Sequence, residues 1–102
     1  MPWNRLQRSW TVTRSHLLSA AKLLPSQPIV GEDGGTLERY QEWLDHNELE
    51  LALDDLADVG LSNRVSKDFW CELLAAAKNM GLESHCTEYE RLIQASKMRS
   101  TE

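Results

Sequence analysis

The chain has 102 residues, 41% of them hydrophobic and 26% charged, with a formal net charge of −5. These values fit one globular domain with a single core and exclude wholesale disorder. No apolar run approaches the ~20 residues needed to cross a bilayer, and the negative balance opposes direct binding to nucleic-acid phosphates.

The N-terminus, Met1-Pro2-Trp3-Asn4-Arg5, lacks the long apolar run of a signal peptide, so a cytoplasmic protein is expected. Residues 4–24 read as the first helix. Leu6, Trp10, Leu17, Ala21 and Leu24 form one stripe when Thr13 or Arg14 supplies the intermediate turn. Asn4 and Gln7 have the spacing of a capping box. Thr11-Val12-Thr13 is the weak point, because three β-branched residues disfavour helix, and a break with a second cap at Thr13 or Ser15 is the alternative. Arg5, Arg8, Arg14 and Lys22 then form the solvated back of this helix. Pro25 and Pro28 end it and open a Pro/Gly-rich loop over 25–35.

Thr36 can cap the second helix, whose apolar face is Leu37, Tyr40, Trp43 and Leu44. A pause is expected at His46-Asn47, with Asn47 and Glu50 forming a capping box for the third helix. That helix carries Leu49, Ala52, Leu53 and Leu56, with Leu51 and Val59 beside them, and Gly60 stands at its expected left-handed end. After a turn over 61–65, Ser66 can cap a fourth helix with the stripe Phe69, Leu73, Ala76, Ala77 and Met80, widened by Trp70 and Leu74. Gly81 ends it. The fifth carries Leu82, Cys86, Tyr89, Leu92 or Ile93, and Ser96, and residues 99–102 form a frayed tail. No segment alternates with a strand's period over four or more residues. The expected fold is all-α: a small bundle of four to five short helices forming one domain over 1–102.

Charge divides the chain unevenly. Residues 32–58 hold ten acids against the single base Arg39, a net −9. Residues 1–24 hold four bases and no acid, and 61–102 balance six of each. Helix backs are usually charged, and acids near helix N-termini favour the macrodipole, which accounts for Glu38 and Glu48 as a solvated face. It does not account for so many acids with so few bases between them. Like charges one turn apart, such as Glu38 with Glu42 or Asp54 with Asp58, repel. A cationic partner would relieve that repulsion, so an outward acidic face for a basic protein is expected. The residues read as partner-binding are Glu42, Asp45, His46, Asn47, Glu48, Asp54, Asp55 and Asp58, with Trp43 as a possible anchor.

Patterns that carry chemistry are missing. The histidines are His16, His46 and His85, and no serine or cysteine lies in a family nucleophile motif. Asp54 and Asp55 are adjacent on a helix and so point about 100° apart, which does not make a converging acid–base pair. Gly34-Gly35 follows no strand and precedes no lysine, unlike a phosphate loop. Cys71, His85 and Cys86 fall on neighbouring helices but lack a close Cys-x-x-Cys pair, and the cap expected between His46 and Glu50 would rotate those two apart. No catalytic residue, cofactor or metal centre is expected, and both cysteines read as reduced, buried thiols.

Two stretches resemble a known family. Tyr40-Gln-Glu-Trp-Leu-Asp-His-Asn-Glu-Leu-Glu-Leu-Ala-Leu-Asp-Asp-Leu-Ala-Asp-Val-Gly60 and Phe69-Trp-Cys-Glu-Leu-Leu-Ala-Ala-Ala-Lys-Asn-Met-Gly-Leu82 are similar to the small helical immunity proteins of bacterial polymorphic-toxin systems, including contact-dependent inhibition and Maf-type systems. The resemblance covers about a third of the chain. It implies a stoichiometric inhibitor that binds a cognate toxin domain, often a nuclease, inside the producing cell or its siblings. It carries over no set of contact residues. A helical adaptor or regulatory subunit that meets another basic protein through the same face is the alternative reading. Neither involves membrane or direct nucleic-acid binding, and nothing in these patterns specifies an oligomer.

Overall fold

The computed structural model describes the backbone over residues 2–100 and side chains over residues 9–96. Five helices follow in order: α1 Pro2–Lys22, α2 Leu37–Asp45, α3 Leu49–Ser62, α4 Lys67–Met80 and α5 Glu83–Ser100. Among the described residues there is no strand. The protein is a small all-α bundle, as its periodicity predicts. α4 packs against both α1 and α5, α2 pairs with α3, and α3 joins this hairpin to the rest by touching α1 and α4. No helix among the described residues is long and apolar enough to cross a membrane.

α1 does not break at Thr11-Val12-Thr13. Thr13 is buried and its Oγ1 accepts from Asn79 Nδ2 at 2.8 Å, so α4 recruits the β-branched run into the main helix pair. The buried stripe is Thr13, Leu17, Ala20 and Leu24. Trp10, expected in the core, is 40% exposed, because the stripe runs through Thr13 and Ala20 and leaves Trp10 to one side. Arg14 is likewise not a solvated back residue: it is half-buried and its Nη1 donates to the carbonyl of Leu44, in the last turn of α2, at 2.7 Å. The proposed Asn4–Gln7 capping box, the core place of Leu6, and the side chains of Trp3, Arg5 and Arg8 lie outside the described side chains.

Thr36 caps α2, its Oγ1 accepting from Arg39 N at 3.1 Å. The pause at His46-Asn47 is present, but its chemistry differs from a capping box. Asn47 adopts φ 57°. Its N–H reaches the Leu44 carbonyl at 3.0 Å, and the Glu48 N–H reaches that of Trp43 at 2.8 Å. This paired arrangement closes the C-terminus of α2, and a left-handed residue cannot also supply the extended N-cap of α3. Gly81, at φ 71°, ends α4 by the same pair of bonds.

Gly60 is no helix end, since α3 continues to Ser62. A Cβ at residue 60 would lie 2.3 Å from Phe69 Cε1, so glycine here lets α4 approach α3. Phe69 is fully buried and meets Trp70 edge-on at 4.9 Å, and Trp70 stacks on Tyr89 of α5 at 5.9 Å. α3 stops instead at Asn63, whose Nδ2 donates to the carbonyls of Val59 and Ile29 and whose Oδ1 accepts from Ile29 N. Within α5 the phase left open between Leu92 and Ile93 is settled: Ile93 is buried and Leu92 half-buried.

Candidate partner-binding face

The acidic segment spans the loop before α2, α2 itself and most of α3. Helical phase decides where its carboxylates go. On α3, Ala52, Leu53, Leu56 and Val59 face the core. Asp55 lies one turn from both Ala52 and Val59, so it shares that inward phase, while Asp54 is rotated about 100° out of it.

Asp55 is therefore 8% exposed, which corrects its expected place on an outward face. Its Oδ2 accepts from Trp43 Nε1 at 2.9 Å and pairs with Arg39 Nε at 3.3 Å. One carboxylate thus satisfies the indole N–H of α2 and takes up the only base within the acidic segment. Trp43 is half-buried and tied to Asp55, so it is a strut of the α2–α3 hairpin.

Asp58 is also turned to internal use. It accepts from the backbone N–H of Gly35 at 2.7 Å and of Asp33 at 3.2 Å. The loop is moulded around this carboxylate: a Cβ on Gly31 would lie 2.2 Å from Asp58 Oδ2, and one on Gly35 would lie 2.7 Å from it. The Pro/Gly loop is thus pinned at one end by Asp58 and at the other by Asn63.

The remaining residues of the predicted set point outward. Glu42, Asp45, His46, Asn47, Glu48 and Asp54 are all exposed, and Glu50 joins them. Asp45 accepts from Gln41 Nε2 at 2.9 Å. Asp54 Oδ1 lies in hydrogen-bond contact with His85 Nε2 at 2.8 Å. Among the described residues, none of Glu42, Asp45, Glu48 and Glu50 pairs with a cation. The outward row keeps its field.

Leu51 belongs with this row. It is 41% exposed and lies one helical turn from Asp54 and Asp55, in the first turn of α3 after the N-cap Glu48. Its off-stripe phase is readable from the sequence, since Leu49, Ala52, Leu53 and Leu56 already fill the apolar stripe. With Trp43 committed inward, Leu51 is the apolar residue this face presents.

His85 of α5 approaches the same end of α3. Single donor atoms of Glu50, Asp54 and His85 lie within 4.8 Å of one another. No other trio of histidine, cysteine or acid meets this criterion among the described residues, so Cys71, His85 and Cys86 do not converge. Cys71 is exposed rather than buried and Cys86 is half-buried, and both are free thiols.

No protein-family model, curated protein or solved structure matches this chain.

Proposed function

We propose that this protein is an immunity-type inhibitor: a cytoplasmic binding protein that neutralises a cognate bacterial toxin domain, a nuclease in the leading version, by docking its acidic α2–α3 face on a cationic surface. The observation that carries this reading is the outward row Glu42, Asp45, Glu48 and Glu50, which no cation of this chain neutralises among the described residues. Nuclease sites are basic because they hold phosphate, and a row of carboxylates offers a competing source of negative charge. Complementary fields also raise the encounter rate, which suits an inhibitor of a lethal enzyme. The family resemblance of residues 40–60 and 69–82 supports the same reading.

The residues expected to contact the partner are Glu42, Asp45, His46, Asn47, Glu48 and Leu51, with Asp54 at the edge of the face. Asp55, Asp58 and Trp43 contribute by holding that face in shape. Co-expression with the protein encoded beside it tests the proposal. Growth rescue by this chain, with a one-to-one complex on purification, is the expected result. Equal killing with and without it would refute the inhibitor reading. Recovery of a basic, non-toxic partner instead would favour the adaptor reading.

A further inference from the structure

We propose that Glu50, Asp54 and His85 form a binding site for a transition-metal ion of the zinc class. Glu50 and Asp54 also belong to the proposed partner face, but the inference concerns the isolated chain and is tested without a partner.

Glu50 and Asp54 stand one turn apart on α3, which places both carboxylates on one side of the helix. The imidazole comes from α5, 31 positions further on, so the group is assembled by the fold rather than by a run of acids. All three donors lie within 4.8 Å of one another. Bonds of about 2.0–2.2 Å hold the donors of a tetrahedral ion roughly 3.4 Å apart. The trio thus lies close to coordinating separation, and Glu50 and Asp54 are exposed, which leaves their side chains room to close on an ion.

A simple ion pair accounts for less. His85 Nε2 and Asp54 Oδ1, at 2.8 Å, satisfy each other and leave Glu50 as a second carboxylate against the first. Two like charges at that range repel, and at most one proton on the imidazole opposes them. A divalent cation satisfies both carboxylates at once. The imidazole is also held in place: Tyr89 meets its ring edge-on at 6.2 Å and is itself stacked on Trp70. A nitrogen donor beside two oxygens favours zinc and its transition-metal neighbours over calcium or magnesium, which prefer oxygen alone. Three protein ligands leave at least one position open to water, and the ion would bridge α3 to α5.

Isothermal titration of zinc chloride into the metal-stripped, tag-free full chain tests this. The expected result is one ion per chain with a Kd in the micromolar range and no comparable signal from calcium or magnesium. His85→Gln and Asp54→Asn should each weaken binding at least about tenfold, while the Cys71→Ser/Cys86→Ser double variant should bind as before. Zinc should also raise the thermal midpoint of the wild type but not of His85→Gln, each compared with its own metal-free state. Absence of zinc binding by the folded chain, full binding by His85→Gln, or loss of binding in the cysteine variant would each overturn the assignment.

Discussion

Asp55 and Asp58 come from the same acidic segment as Glu42, Asp45, Glu48 and Glu50, yet the two groups serve opposite ends. The inward pair is saturated by donors of this chain: an indole N–H and a guanidinium on Asp55, two loop amides on Asp58. The outward row meets solvent, with Gln41 beside Asp45 and with Asp54 and His85 beside Glu50. The difference teaches that net charge along a segment does not report its use. Helical phase does, and so does the nearness of a backbone or indole donor that needs an acceptor.

The comparison breaks most sharply at Asp55. Replacing it by alanine leaves the Trp43 N–H and Arg39 without their buried acceptor. The expected loss is about 2–3 kcal/mol of unfolding free energy, read by urea denaturation. Asp58→Ala should cost about 1.5 kcal/mol, since its donors are backbone amides close to solvent. It should also raise hydrogen exchange at Asp33 and Gly35 before the helices respond.

Tyr40 extends the comparison to a buried group that needs a partner and finds none among the described residues. It is 3% exposed and its hydroxyl has no hydrogen-bond partner among the described residues. Tyr40→Phe should therefore stabilise the protein by about 1 kcal/mol in the same denaturation assay. Burial pushes the Tyr40 pKa up to about 12 from 10.0, against the opposing pull of Arg14. Burial pushes Tyr89 upward as well, with Asp54 adding to it. A raised folded-state pKa means that the stabilising contribution is complete below pH 10 and is lost as pH rises from there through about 12. These are the only two tyrosines in the chain. Tyrosinate absorbance should then rise together with loss of helical circular dichroism in an alkaline titration; tyrosinate forming ahead of unfolding would contradict their burial.

The outward row should give the smallest stability effect. Neutralising it together, as Glu42→Gln/Asp45→Asn/Glu48→Gln, should change unfolding free energy by no more than about 0.5 kcal/mol. A loss of several kcal/mol would place these carboxylates among the structural ones.

Much of the fold was legible because it depends on local signals. Thr36 and Gly81 mark helix ends by side-chain or backbone chemistry that acts within a few residues, whereas Ser66 holds the N-cap position of α4 without a side-chain cap bond. What escaped depends on distant partners. Gly60 has the look of a helix terminus until Phe69 is seen against it. The Thr11–Thr13 run invites a break until Asn79 reaches Thr13. Asn47 fits two capping patterns, and only its positive φ selects between them. In the candidate face the charge was plain, but the inward turn of Asp55 needed its phase to be weighed against Ala52 and Val59. The convergence of Glu50, Asp54 and His85 joins two helices that sequence spacing does not connect.

The most direct test of the central claim compares two variants in one growth assay. The chain is co-expressed with the toxic domain encoded beside it, as wild type, as Glu42→Gln/Asp45→Asn/Glu48→Gln, and as Tyr40→Phe. The outward acidic face predicts full rescue by the wild type and by Tyr40→Phe, and loss of rescue by the triple variant although it folds as stably. Undiminished rescue by the triple variant would contradict the account.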